Sequence, residues 1–118
     1  MKTIIAGSRH IRDVSVVFDA ADSCGWEITE IVSGGAAGVD KAGEIYAYSR
    51  PGKHIPLVRF NAPWHLYGRV AGPVRNKQMA EYADALILVW DGKSPGSKSM
   101  KAEALARGLR IHEVIVEV

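Results

Sequence analysis

The sequence predicts an α/β fold: a three-layer sandwich, with a mainly parallel sheet of about five strands and helices on both faces. Three observations carry this. Short β-branched, apolar runs alternate with stretches of helical spacing along the chain. The run Ala85-Leu86-Ile87-Leu88-Val89-Trp90 is apolar throughout, as a strand covered on both faces must be. Four polar or small-residue loops each follow a strand and precede a helix, and such a sheet brings those loops to one edge.

The elements follow in order. Thr3 to Ala6 reads as a buried strand. Asp13 caps a helix whose inner face carries Val14, Val17, Phe18 and Ala21, and Gly25 ends it. Ile28 to Val32 is the second strand. A second helix starts near Gly38, buries Ala42, Ile45 and Tyr46, and stops at Pro51-Gly52. His54 to Val58 is a short strand, placed at an edge by Pro56. Phe60 to Gly72 is irregular. Pro73 fits the first turn of a third helix running to about Tyr82. After the apolar strand, a fourth helix starts near Ser97, with Ala102, Leu105, Ala106 and Leu109 inward and Gly108 at its end. Ile111 to Val118 is the last strand, at an edge.

Composition narrows the function. A length of 118 residues fits one domain, residues 1–118, and 47% hydrophobic residues can build an ordinary core. Fifteen basic against 13 acidic residues leave a formal charge of +2. That balance makes nucleic acid an unfavoured partner and suits a local site for one anionic ligand. The single cysteine, Cys24, fits a reducing compartment and reads as a small buried residue. No apolar run reaches the ~20 residues that span a bilayer, and the first residues read as a strand rather than a secretory leader. A cytoplasmic location without membrane contact is expected. The histidines His10, His54, His65 and His112 have no metal-ligand spacing, so no metal and no required cofactor is expected.

The loops carry the chemistry. Ser33 to Asp40 holds Gly34, Gly35, Ala36 and Gly38 between a strand and a helix. Its amides can face an anion, favoured by the helix dipole; a tight turn is the plainer reading. Asp40 either accepts ribose hydroxyls or supports the first helical turn. Gly7, Ser8 and Arg9 suit fork-like binding of a phosphate, or Arg9 is a solvated loop residue. Arg75, with Asn76, opens a helix where a cation is electrostatically disfavoured unless it faces an anion. Gly92, Ser94, Gly96 and Ser97 follow the apolar strand; Ser97 can cap the helix while its neighbours bind phosphate. Trp90 stacks on a base or fills the sheet edge. Trp64, His65 and Tyr67 form a lid, a subunit contact or simple loop packing.

Taken together, Gly7 to Arg9, Ser33 to Asp40, Trp64, Gly68 to Met79 and Trp90 to Gly96 resemble the pattern of the SLOG superfamily. This is the Rossmann-like group that includes DNA-processing protein A and the Lonely Guy proteins, and the likeness is closest to its small, stand-alone, YspA-like members. The resemblance implies a nucleotide or nucleotide-derived ligand and is compatible with a homodimer. Lonely Guy proteins are phosphoribohydrolases with a Pro-Gly-Gly-x-Gly-Thr-x-x-Glu motif. Here the matching stretch is Ser94 to Met100, with Ser97 for the threonine and Ser99 or Met100 where the glutamate is expected. Asp40 and Glu44 are the substitute candidates for a catalytic carboxylate. Three functions follow as expectations: binding of a small phosphorylated ligand for sensing or sequestration, glycosidic cleavage of such a ligand, and binding of single-stranded DNA.

Overall fold

The computed structural model describes residues 1–49, 52 and 54–117. In chain order the elements are β1 (Lys2–Gly7), α1 (Val14–Asp22), β2 (Glu30–Ser33), α2 (Val39–Ser49) and β3 (Leu57–Arg59). They continue with α3 (Trp64–Tyr67), α4 (Ala71–Tyr82), β4 (Ala85–Trp90), α5 (Pro95–Ala106) and β5 (Arg110–Ile115). A 3-10 turn, Gly68–Val70, joins α3 to α4. The five strands form one parallel sheet in the order β3-β2-β1-β4-β5. This is the expected α/β sandwich, with the apolar strand inside and β3 and β5 at the edges.

Alternation along the strands feeds two cores. Ile5, Ile31, Ile87 and Val89 point to one face and pack with Val17, Ala20, Val39 and Tyr46 of α1 and α2. Ile4, Val32, Leu86 and Leu88 point to the other and pack with Met79, Ala80, Met100 and Ala104 of α4 and α5. Each fully buried aliphatic side chain contributes about 1.5–3 kcal/mol. The Asp13 carboxylate caps α1 by accepting from the Ser15 amide at 3.0 Å.

Two helix faces differ from expectation. On α2 the buried set is Val39, Asp40, Ala42, Gly43, Glu44, Tyr46 and Ala47, and Ile45 is exposed. Ile45 precedes Tyr46 by about 100° of helical rotation, which turns it off the sheet. On α5 the inward residues are Ser97, Met100 and Ala104, whereas Ala102, Leu105 and Ala106 are exposed. The cause is the phase of the helix, which starts at Pro95, two residues earlier than expected. Val14 of α1 is likewise exposed. The irregular stretch holds α3 and the 3-10 turn, and β3 begins at Leu57 rather than His54. β5 ends at Ile115, short of the expected Val118, and Val116 and Glu117 lie beyond it; Val118 itself and the expected stop at Pro51 lie outside the described residues. Among the described residues no helix is long and apolar enough to cross a membrane.

Candidate functional site

Strand order places the site. From β1 the chain turns to helices on one face, and from β4 to a helix on the other. The loops after these neighbouring strands therefore diverge and open a crevice at their carboxyl ends.

The loop after β4 is built by Asp91. Its Oδ1 accepts from the amides of Lys93 and Ser94, both at 2.8 Å, and from the Ser94 hydroxyl at 2.9 Å. These bonds hold its carboxyl well below the usual carboxylate range. With its proton committed to Asp91, Ser94 accepts from the Ser8 hydroxyl at 2.9 Å, and Ser8 Oγ accepts from the Asp91 amide at 3.2 Å. The loops after β1 and β4 are thus latched together. Pro95 takes the first position of α5, where a missing N–H costs nothing. The Gly96 and Ser97 amides of the first turn have no carbonyl behind them within the helix. Ser97 is not the cap but a buried first-turn residue, 4% exposed, whose hydroxyl has no hydrogen-bond partner among the described residues.

Opposite stands Arg75 of α4. Its Nη1 donates to the Gly34 carbonyl at 2.8 Å and its Nε to Asn76 Oδ1 at 3.0 Å. A Cβ on Gly34 would lie 2.7 Å from Arg75 Nη1 and 2.9 Å from Asp40 Oδ2, so a side chain there would push the guanidinium and the carboxylate aside. Asn76 Nδ2 donates to the Gly96 carbonyl at 3.3 Å and so ties α4 to α5. Asp40 is buried in the first turn of α2. Burial pushes its carboxyl up to about 6, against the pull of Arg75 and of the Ala36 and Gly7 amides. Burial pulls Arg75 down, and Asp40 opposes this. Arg9 is exposed at the mouth, with no hydrogen-bond or ion-pair partner among the described residues.

The crevice has two lobes. A narrow lobe of about 330 Å³ runs past Gly7, Ser8, Asp40, Ser94 and Ser97 to a floor of Met79 and Met100. A wider lobe of about 710 Å³ is bounded by Gly34, Gly35, Asn61, Trp64, Arg69 and Gly72. Arg9, Ala36, Arg75, Asn76 and Gly96 line both. Most of the sequence-predicted binding residues therefore share one cleft.

Four do not. Trp90 is 6% exposed, packs in the core and donates from Nε1 to Glu113 at 2.7 Å, which corrects its reading as a stacking surface. Gly92 lies in an exposed turn outside both lobes. Gly38 sits behind the cleft with φ +77°, and a Cβ there would lie 2.4 Å from the Arg9 carbonyl oxygen. Glu44 lines neither lobe. It accepts from the Ser33 hydroxyl at 2.7 Å and from both Nε and Nη2 of Arg59. Burial would raise its carboxyl, but the Arg59 and Ser33 hydrogen bonds outweigh this and hold it low. Glu44 ties α2 to β2 and β3.

Sequence reasoning missed Asn61 and Arg69 and left Trp64 unassigned. Trp64 was present in the family-like pattern, but nothing in its irregular neighbourhood fixed where it pointed. His10 lies at the rim, 3.1 Å from Asp91 Oδ2. No group of three metal-ligating side chains is gathered among the described residues.

The chain has the fold of DNA processing protein A. The match is to the protein from Streptococcus pneumoniae, at a TM-score of 0.76 and 19% identity, over 99% of this chain. This chain spans about half of that one, 51% of its length. No family model and no curated protein matches the sequence.

Proposed function

We propose that the protein binds a nucleotide or nucleotide-derived phosphorylated ligand in the two-lobed cleft, as a sensor or sequestering protein of the YspA-like SLOG type. The observation that carries this is the Ser97 hydroxyl, buried and unpartnered in the first turn of α5. Leaving such a group unsatisfied costs about 1–3 kcal/mol. A phosphate oxygen would accept from it, with the Gly96 and Ser97 amides and the Arg9 and Arg75 guanidiniums supplying further donors. Asp40 is compatible with the reading, because burial raises its carboxyl and so lowers the cost of its taking up a proton when an anion arrives.

Thermal shift and calorimetry with inorganic phosphate, ribose 5-phosphate and the four common nucleoside monophosphates test it. Stabilisation that disappears in Arg75→Ala and weakens in Ser97→Ala is expected. No response to any of these compounds overturns it.

A second reading, binding of single-stranded nucleic acid, is favoured by the fold shared with a DNA processing protein. It requires oligonucleotide binding that falls steeply with salt. Glycosidic cleavage is a further use of the same cleft. Asp40 is then the lining carboxylate, and base release from a nucleoside monophosphate has to vanish in Asp40→Asn.

A further inference from the structure

The wide lobe is not explained by phosphate binding. It is about twice the narrow lobe in volume, 710 against 330 Å³, and the two meet at the shared wall of Arg9, Arg75 and Gly96. Trp64 stands in its wall while remaining 59% exposed. Its Cη2 lies 3.8 Å from where a Cβ on Gly72 would stand, so the ring lies along the first turn of α4. Gly34, Gly35 and Ala36 make another part of the wall and present almost no side chain. Asn61, whose amide both donates and accepts, belongs to the same lobe. The other two tryptophans are committed elsewhere: Trp26 Nε1 donates to Thr3 Oγ1 at 3.0 Å, and Trp90 to Glu113.

We propose that the wide lobe is a nucleobase compartment with Trp64 as its stacking surface, so that the ligand is a nucleoside phosphate rather than a bare sugar phosphate. This rests on the phosphate occupying the narrow lobe. The ribose then crosses the shared wall. A planar base covers the exposed indole, and Asn61 meets the polar edge of the base. Stacking of this kind tolerates any base, so Trp64 selects for the presence of a ring, and Asn61 for its edge.

The test is calorimetry on wild type, Trp64→Ala, Trp64→Phe and Arg75→Ala, with AMP, UMP and ribose 5-phosphate as probes. Trp64 is on the surface, so neither substitution removes core packing. Trp64→Ala is expected to weaken AMP or UMP by about tenfold or more. It should leave ribose 5-phosphate within about twofold, and Trp64→Phe should restore most of the nucleotide affinity. Nucleotide, but not ribose 5-phosphate, quenches tryptophan emission, and the quenching is absent in Trp64→Phe.

Equal affinity of nucleotide and ribose 5-phosphate for the wild type overturns the base compartment, as does an equal loss of both in Trp64→Ala. Either result leaves phosphate binding intact, because Arg75→Ala still reports on it. If no phosphate compound binds wild type, the underlying reading falls and the base compartment falls with it.

Discussion

Asp40→Asn separates the charge of the buried carboxyl from its packing. In the folded protein this group titrates near 6 instead of 3.8. A raised acid binds its proton more tightly folded than unfolded, so stability declines as pH climbs from the unfolded to the folded value. The penalty is absent below about pH 4 and complete above about pH 6. At 1.36 kcal/mol per unit it amounts to about 3 kcal/mol. Asparagine still accepts from the Ala36 amide and never ionises. Arg75 loses its counter-charge in the variant, but its hydrogen bonds to Gly34 and Asn76 remain. The attraction of Arg75 is already contained in the folded value of about 6, so it belongs to the pH-dependent difference, and only the altered neutral packing sets a constant offset. Urea unfolding of both proteins, followed by tryptophan fluorescence from about pH 4 to about pH 7, gives the difference curve. The variant should gain up to about 3 kcal/mol relative to wild type over that range and then level off. A flat difference would mean that Asp40 titrates alike in both states, and the claim of a desolvated carboxyl in the cleft would be wrong.

Other substitutions probe the remaining parts. Ser97→Ala removes an unsatisfied buried hydroxyl, so urea unfolding without ligand should show unchanged stability or a gain of about 1 kcal/mol, while calorimetry shows weaker phosphate binding. Glu44→Ala strands Ser33 and Arg59 and should cost about 1–3 kcal/mol, yet ligand affinity should stay within about twofold. Gly38→Ala forces a positive φ and a clash with the Arg9 carbonyl; a loss of about 3 kcal/mol or more, or failure to fold, should appear in thermal melts. Arg75→Ala removes the cation that lowers Asp40, so the pH midpoint of stability should move upward.

The sheet was legible because strands buried on both faces advertise themselves: Leu86 to Val89 admits no polar residue. The loops were legible because glycine and serine at strand ends have few other uses. Helix faces were less so. Ala102, Leu105, Ala106 and Leu109 have good helical spacing, yet a turn fixed by Asp91 sets the phase and sends Met100 inward instead. Trp90 and Glu44 show a different limit. Each has residue chemistry suited to a ligand, but a partner distant in sequence, Glu113 for one and Arg59 for the other, claims it. Spacing within one element cannot reveal such a partner. Trp64 is the converse: its neighbourhood lacks any period, so only the fold shows that it borders the cleft.

The latch between Ser8 and Ser94 joins residues 86 positions apart, and β1 must pair with β4 before it can close. During synthesis the first three strands, and Ser8 with them, leave the ribosome well before Ser94. A nascent chain that stops before α5 has no Ser97, no α5 amides and no floor from Met100. A ligand bound in the proposed cleft could therefore not template the early steps of folding; it would stabilise only the finished chain, by RT ln(1 + [L]/Kd). Protection from proteolysis by ligand should thus appear all at once along the polypeptide, once α5 has docked, and not spread from the amino-terminal half.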